Sequence, residues 1–181
     1  RVRSQATVSG EVKLTLTDLQ TTGAQIKNAS VTLKGSEWRH ELTVKAEGSP
    51  ASVDLRMTGA YRRLFNNWTG SFAALSVRTN YGTVKLEKPV RLELSGQSGR
   101  LSVGTGCLTH PQARACLAKA VSCDLSGASD TPLSVTLEKF DLSFIKTYFP
   151  GNLDAQGIIK ARADFTVPAA MADLPRGTLQ V

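Results

Sequence analysis

The stretch that decides the fold reads Thr83-Val84-Lys85-Leu86-Glu87 and, after Pro89, Val90-Arg91-Leu92-Glu93-Leu94. Apolar and polar residues alternate in both pieces, and successive side chains of an extended strand point to opposite faces of a sheet. One face is therefore predicted to be apolar, whereas the other carries the four charged side chains. The stretch indicates two β-strands that are each half in contact with water.

The segment 107–123, which follows, interrupts this alternation and contains all three cysteines of the chain. We predict that it forms a small Cys-containing corner on the sheet. Its Ala-rich part, residues 112–120, is long enough for a helical turn or two. The corner is also where metal-binding and nucleophilic side chain types lie closest together in the sequence.

Three interpretations of this corner stay open. A Cys107–Cys116 disulfide would close a short loop and leave Cys123 as a free thiol, and it is the interpretation that we favour. A zinc site would combine the three cysteines with His110, but the short Cys-x-x-Cys pair typical of such sites is missing. A Cys–His nucleophile pair lacks a third residue to orient the histidine.

The same alternation recurs along the rest of the chain, with Gly or Pro at many of the links. The predicted strands cover residues 8–17, 26–33, 41–46, 52–58, 72–77, 83–87, 90–94, 101–103, 132–138 and 153–167, with another starting at 177. A turn is predicted from Asp18 to Gly23. Short links between strands are typical of an antiparallel meander, and no strand–helix rhythm indicates a parallel sheet. The predicted fold class is all-β and mostly antiparallel.

Two local features depart from plain strands. The apolar residues change phase between Ile26 and Val31, which predicts a β-bulge near Asn28. Apolar residues at helical spacing predict a short helix over residues 140–149, with Asp141 as its N-cap. We expect one or two short helices in all.

Composition is that of an ordinary folded domain. Of the 181 residues, 41% are hydrophobic and 20% charged, which we interpret as a single β-rich unit over residues 1–181. The net charge of +7 would suit nucleic acid or anionic lipid. However, the basic residues are spread along the outward faces of the predicted strands, with Arg62-Arg63 as a doublet and no basic cluster interleaved with aromatics. We therefore expect a solvated surface and no nucleic-acid partner.

The sequence contains no pattern that points to an enzyme. It has neither a paired-carboxylate arrangement nor a Gly-rich phosphate loop between a strand and a helix, and we predict no catalytic residues and no cofactor. No apolar run approaches the roughly 18 residues of a spanning helix. Because the chain begins at Arg1 without a Met and ends within a strand, we expect it to be a fragment of a longer protein.

The apolar face of the predicted sheet needs a cover that the short helices cannot supply. The sheet must close into a sandwich or barrel, or curl into an open groove that holds acyl chains. For the groove we predict a lining of large apolar residues on alternate strand positions. These are Val12, Leu14, Leu16, Val31, Leu33, Leu42, Val44, Val53, Leu55, Met57, Val84, Leu86, Leu92, Leu94, Leu101, Val103, Leu133, Val135, Leu137, Ile159, Ala161 and Phe165.

An ordered series of short motifs resembles a known family. The series runs from Trp68-Thr69-Gly70 through Lys88-Pro89-Val90 and the pair Cys107-Leu108 … Cys116-Leu117 to Leu153-Asp154-Ala155-Gln156-Gly157. In this order and spacing, over about residues 68–165, the chain resembles the TamB family. That family is the inner-membrane component of the translocation and assembly module, within the AsmA-like group of envelope proteins.

The resemblance implies a U-shaped, taco-like half-pipe with an apolar interior, in the periplasm. It implies a full-length protein anchored in the bacterial inner membrane by an N-terminal helix, and a partner that is an outer-membrane barrel protein of the TamA kind. The expected cargo is phospholipid or unfolded outer-membrane protein. An oxidising periplasm favours the Cys107–Cys116 disulfide, whereas Cys123 is an additional cysteine that leaves the pairing open.

Two other classes of function compete with this groove. A closed β-sandwich could act as a protein-interaction module that recruits partners by strand addition at its edges. A hydrolase or metal site at the cysteine corner is the third hypothesis.

Overall fold

The computed structural model describes residues 9–21, 24–147, 156–169 and 176–181. In these ranges the backbone forms fourteen strands, all paired antiparallel, and two short 3₁₀ helices. The strands are β1 (Ser9–Thr21), β2 (Ala24–Ser36), β3 (Arg39–Ser49), β4 (Ala51–Arg62), β5 (Asn67–Thr79), β6 (Gly82–Leu86), β7 (Val90–Ser95), β8 (Arg100–Val103), β9 (Gly106–His110), β10 (Ala113–Leu117), β11 (Val121–Asp124), β12 (Thr131–Asp141), β13 (Ile158–Val167) and β14 (Arg176–Gln180). The predicted all-β antiparallel class is confirmed. The strands belong to one open sheet, so the closed sandwich is not formed.

The first five strands form the predicted meander, each pairing with the next in sequence. The bulge predicted near Asn28 is confirmed, because the register of β2 against β3 shifts between Ile26 and Asn28. A second bulge lies in β5 at Ala73, since Phe72 and Ala74 face consecutive residues of β4. This bulge explains why the alternation in β5 is imperfect: one extra residue changes the face on which the next apolar side chain falls.

Strand β1 continues past the point where a turn was predicted. It extends to Thr21, and Asp18 adopts a positive φ of 54° within it. Lys27 of β2 is likewise skipped in the pairing, so both strands pass through a local irregularity and then resume their ladder. The predicted start of the turn at Asp18 is wrong, because aspartate tolerates the left-handed conformation without ending the strand. Residues 22–23 of the predicted turn lie outside the described residues.

After β5 the sheet divides. β6 pairs with the end of β5, at residues 76–79, whereas β7 pairs with its beginning, at residues 67–72. In this region consecutive strands are separated by short breaks in the chain. The breaks lie between β6 and β7 at residues 87–89, between β8 and β9 at 104–105, and between β10 and β11 at 118–120. The halves β6, β9 and β10 lead on to β12, β13 and β14, while β7, β8 and β11 form what we call the three-stranded lobe.

The link between the meander and the later strands is narrow. β6 and β9 pair at two positions, Lys85 with Thr109 and Leu86 with Leu108. One further backbone hydrogen bond, from the Glu87 N–H to the Cys107 carbonyl oxygen at 2.9 Å, extends the contact. By comparison, β1 and β2 pair along almost their whole length.

The helical turn predicted for residues 112–120 is wrong. The cysteine segment forms a hairpin of β9 and β10 in which Cys107 and Cys116 are directly opposite, with Cα atoms 4.0 Å apart and their Sγ atoms joined in a disulfide. Pairing with β9 on one side and β12 on the other outweighs the helical propensity of Ala113 and Ala115. The corner on the sheet is thus itself part of the sheet.

The second 3₁₀ helix, Leu142–Thr147, occupies most of the segment predicted to be helical. Its N-cap is Asp141, whose Oδ1 accepts a hydrogen bond from the Ser143 N–H at 2.9 Å, as predicted. The helix starts later than expected because β12 extends to Asp141. Residues 148–149 of the predicted helix and 153–155 of the predicted strand lie outside the described residues.

Burial is concentrated where the lobe meets the rest of the sheet. Among the described residues the most buried are Val90, Leu92, Cys116, Val121 and Ser134, each exposing between 4 and 8% of its surface. Every residue of β1 up to position 20 is exposed. Within the described ranges, no helix is long and apolar enough to cross a membrane.

Candidate functional site

A row of apolar side chains crosses the sheet on one face, and we call it the apolar row. Residues directly paired in an antiparallel sheet point to the same face. Leu14 pairs with Val31, Val31 with Val44, Val44 with Leu55, and Leu55 with Leu75. The meander therefore places the apolar residues of all five strands on a common face.

The apolar row continues across the narrow link into the second half of the sheet. Leu86 pairs with Leu108, Leu108 with Ala115, Ala115 with Leu137, and Leu137 with Ala161. The positions that complete the connection are Val77 with Val84, at β5–β6, and Ala163 with Leu179, at β13–β14. The row thus runs without a change of face from β1 to β14.

The cross-strand pairing places all predicted lining residues of β1–β4, β6, β12 and β13 on this face. The remaining predicted residues, Leu92, Leu94, Leu101 and Val103, lie on the three-stranded lobe, whose apolar side adjoins the same face because Val90 pairs with Phe72. The structure thus brings the predicted set together on one side of the chain.

Several members of the row were missed by the sequence analysis. Phe72 and Leu75 lie on either side of the β5 bulge, which disguises their common face. Leu108, Ala115 and Leu117 lie in the cysteine hairpin, which was interpreted as a corner. The period-two spacing of Ala113, Ala115 and Leu117 is the sequence signal for strand β10. It is a weak signal, because alanine carries little apolar surface.

Much of the apolar row is open to solvent. On β1 and β2, Leu14 is 65% exposed and Leu33 44% exposed, and on β14 Leu179 is 68% exposed. Isolated exposed leucines are common on proteins, whereas a contiguous apolar face of this kind marks a binding surface.

The three-stranded lobe covers part of the face. A side chain added at Gly106 of β9 would collide with Cγ2 of Val90, so Val90 of the lobe lies directly on β9. Between the lobe and the sheet is an open-sided cavity of about 330 Å³, whose lining includes Phe72, Leu86 and Val135. The lobe therefore folds toward the apolar row, not away from it.

An indole ring occupies the end of the apolar face next to the β4–β5 turn. Trp68 lies over the cross-strand pair Gly59 and Gly70, where a Cβ on either glycine would meet the ring. The Trp68 Nε1–H donates to His40 Nε2 at 2.7 Å, and His40 Nδ1 lies 3.1 Å from the carbonyl oxygen of Ser36. Because an indole N–H can only donate, His40 accepts at Nε2 and donates from Nδ1. The Trp-x-Gly motif thus has a packing reason.

The opposite face of the sheet is polar and carries ion pairs. Arg114 contacts Glu87, with Nη2 2.8 Å from Oε2, and also Glu138. The hydrogen bond from Arg162, with a second from the Ser134 hydroxyl, lowers the pKa of Asp164 to about 2. Exposed pairs of this kind are individually weak, so they keep this face soluble without forming a core.

The cysteine hairpin excludes two of the chemistries considered for it. The disulfide, which was the favoured interpretation, occupies the Sγ atoms of Cys107 and Cys116. These are two of the four ligands of the alternative zinc site, and Cys107 is the thiol of the alternative Cys–His pair. Cys123 is a half-buried free thiol whose Sγ lies 3.6 Å from the Leu101 carbonyl oxygen. In the part of the chain that is described, no group of three or more His, Cys, Asp or Glu residues is placed to hold a metal ion.

The fold and this face define an all-β protein built as one open, two-faced antiparallel sheet. Over residues 1–181 the sequence matches the family described as the TamB N-terminal domain, and the chain belongs to that family. It is 23% identical over 149 residues to the translocation and assembly module subunit TamB of Haemophilus influenzae, an alignment that covers 82% of this chain and 11% of that protein. The chain therefore spans about a tenth of that relative's length. No solved structure matches the chain.

Proposed function

We propose that this chain is a non-enzymatic segment of an envelope-biogenesis protein, and that its apolar row lines a hydrophobic groove. The groove conducts phospholipid between the inner and outer membranes, or shields the apolar strands of an outer-membrane protein during assembly. The observation that supports this most is that the row keeps one face across eleven consecutively paired strands. A core needs burial, whereas this face is exposed along β1 and at Leu33 of β2.

The dimensions suit a long apolar ligand. Neighbouring strands are about 4.8 Å apart, so a path of eleven strands extends over roughly 48 Å. Burial of an acyl chain contributes about 0.8 kcal/mol per methylene, and no single position of a uniform apolar row is preferred. A bound acyl chain is therefore held firmly and still moves along the row.

The half-pipe shape is part of the proposal. Antiparallel sheets twist and coil, and bulges such as those of β2 and β5 increase the local bend. The three-stranded lobe already lies against the apolar side. A sheet that bends toward this side encloses the apolar row and leaves the ion-paired face in water.

Membership of the family supports a proposal for location and partner. The relative from Haemophilus influenzae is a subunit of a translocation and assembly module. We infer that this chain works in the periplasm, in a full-length protein anchored in the inner membrane, with an outer-membrane barrel of the TamA kind as partner. The Cys107–Cys116 disulfide supports an oxidising compartment.

The test is a matched pair of substitutions in the full-length protein. Leu14→Arg places a charge in the apolar row, and Thr15→Arg places the same charge on the opposite face of the same exposed strand. Photoactivatable phospholipid should crosslink to the Thr15→Arg protein as to the unaltered one, and several-fold less to Leu14→Arg. Equal crosslinking of the two variants would show that the row is not the lipid path.

A second candidate is strand addition. Within the described residues, β1 pairs on one side with β2, and the other edge of this 13-residue strand carries no partner. An extended segment of another protein can add to such an edge through backbone hydrogen bonds. Proline at an edge-facing N–H of β1 would abolish this binding and leave the lipid crosslinks unchanged.

A further inference from the structure

One end of the sheet is formed by four neighbouring turns, which we call the tip. They are the β2–β3 turn at residues 37–38, the β4–β5 turn at 63–66, the β7–β8 turn at 96–99, and the start of the link after β11 at 125. They lie at the same end because β2, β4, β7 and β11 run in the same direction in the antiparallel sheet, and each of these turns follows one of them.

Backbone hydrogen bonds join these turns in series. The Tyr61 N–H donates to the Glu37 carbonyl oxygen at 2.6 Å, and the Gly96 N–H donates to the Asn66 carbonyl oxygen at 2.7 Å. The N–H at residue 125 donates to the carbonyl oxygen of residue 99 at 2.8 Å. The tip is therefore one connected surface rather than four independent loops.

The tip exposes large apolar side chains. Leu64 is 88% exposed, Phe65 62%, Leu125 59% and Trp38 48%. They project from turns, whereas the other exposed apolar residues on β1 and β2 belong to the apolar row. Apolar side chains at the apex of a turn have no neighbours of their own with which to form a core.

The β4–β5 turn holds its two apolar residues in place. Asn66 adopts the left-handed conformation, its N–H donates to the Arg63 carbonyl oxygen at 3.2 Å, and its Oδ1 accepts from the Tyr61 hydroxyl at 2.8 Å. Leu64 and Phe65 are thus presented on a preorganised turn. Less conformational entropy is lost when such a turn docks than when a flexible loop does.

Arginines surround the apolar residues. Arg39, Arg62, Arg63 and Arg100 are all exposed at this end of the strands. The acids here are Glu37, whose Oε2 lies 2.6 Å from Arg63 Nε, and Asp124, which pairs with Arg100 across β8 and β11. Among the residues of the tip that the structure describes, four arginines against two acids leave an excess of positive charge.

The other end of the sheet has a different character. The turns that the structure describes there include Ser49-Pro50, Asn80-Tyr81 and Pro111-Gln112. The exposed large side chains there include Tyr81, at 51%, and Ile158, at 61%. None of these described turns contains an arginine, although the exposed Arg78 and the half-buried Arg114 lie close to them on β5 and β10. The tip differs in carrying four exposed arginines beside four exposed apolar side chains.

We propose that the tip docks on an anionic lipid surface. Apolar side chains at the apices enter the boundary between headgroups and acyl chains, and the arginines behind them contact lipid phosphates. A protein partner is the less favoured occupant, because the apolar groups are separate points on turns and not a continuous patch. This docking does not depend on the groove, since it uses side chains outside the apolar row.

The experiment measures binding of the intact chain to vesicles of phosphatidylcholine with phosphatidylglycerol, against phosphatidylcholine alone, by co-sedimentation. Leu64→Ser with Phe65→Ser should weaken binding to the anionic vesicles at least about tenfold, because both side chains then lose their burial in lipid. Tyr81→Ser, at the opposite end and similarly exposed, is the matched control and should bind as the unaltered chain does.

A second variant keeps the test independent of turn stability. Arg62→Gln should reduce binding about fivefold at low salt, with a shallower dependence on ionic strength. Equal binding by the double-serine and Tyr81→Ser chains would overturn the proposal. So would loss of binding in Leu14→Arg with full binding in the double-serine chain, because the apolar row would then be the lipid contact. Absence of vesicle binding, with a protein partner lost on the double-serine change, would assign the tip to protein recognition.

Discussion

The five-stranded meander and the three-stranded lobe are built from the same alternating sequence pattern, but their apolar residues are covered to different degrees. Strand β1 is exposed up to position 20, whereas Val90, Leu92 and Val121 of the lobe are buried. Strands β1 to β5 are 11 to 13 residues long and pair along most of their length, with β3 and β4 paired from His40 to Ala46. Strands β7, β8 and β11 are 4 to 6 residues long, because each is separated by a break from the strand that extends it. The breaks let the lobe fold onto the apolar row. Burial here is decided by the continuity of the strands and not by their composition.

The largest expected effect contrasts one leucine from each region. Leu92→Ala in the lobe removes a side chain that is 4% exposed, and we expect a loss of about 2–5 kcal/mol in the free energy of unfolding. Leu14→Ala in the meander, at 65% exposure, should change it by less than about 0.5 kcal/mol. Urea unfolding of the two variants measures both. Similar losses would mean that the meander face is as well buried as the lobe.

An intermediate effect is expected at the boundary strand β5. A Cβ at Gly70 would collide with the Trp68 ring, so Gly70→Ala should destabilise the chain by about 1–3 kcal/mol and change the tryptophan fluorescence. Gly10 of β1 is the control, because a Cβ there meets no atom within 4 Å. Gly10→Ala should be neutral to within about 0.5 kcal/mol. If Gly70→Ala is equally neutral, the Trp68 ring does not pack on the Gly59–Gly70 pair.

The smallest expected effect concerns the polar face of the sheet, where the stability contributed by Asp164 depends on pH. The pKa of the Asp164 carboxyl is lowered to about 2 by its hydrogen bonds from Arg162 and Ser134, below its value in the unfolded chain. A lowered carboxyl pKa contributes stability that is fully present above the unfolded value and is lost as the pH falls through the folded one. The contribution should therefore disappear between about pH 4 and pH 2.

Carboxyl chemical shifts followed by NMR test this directly. In Arg162→Gln the Asp164 titration should move up toward the ordinary value for aspartate, because the first of its hydrogen-bond donors is lost. A midpoint that stays near 2 would assign the shift to Ser134 instead.

The sequence predicts the strands of the meander and two of the three strands of the lobe, β7 and β8, but not how the lobe pairs. Period-two alternation identifies strands and the face on which their apolar residues lie, and a change of phase near Asn28 reveals a bulge. Alternation does not state which strand pairs with which. The sequence therefore contains no sign that β6 and β7 pair with different halves of β5. Small residues cause the other miss: Ala113 and Ala115 carry too little apolar surface for their strand to be distinguished from a helix.

The sequence predicts which residues of the meander share the apolar face, but it does not predict how far that face extends or how much of it is exposed. The large aliphatic residues of the meander were identified because each alternates with a polar neighbour. Phe72 and Leu75 escaped because a bulge separates them, and Leu108 because it lies beside the cysteines. Exposure of the row could not be predicted, since whether a face is covered depends on the breaks at residues 87–89, 104–105 and 118–120.

The narrow pairing of β6 with β9 has a mechanical consequence. Elastic strain in a plate collects where its cross-section is smallest, and the ladder between Lys85–Leu86 and Leu108–Thr109 is the shortest crossing on the path from β1 to β14. Twisting or opening of the sheet is therefore expected to concentrate at this crossing, where the three-stranded lobe, paired with β5 and packed on β9, supplies the remaining support between the two parts.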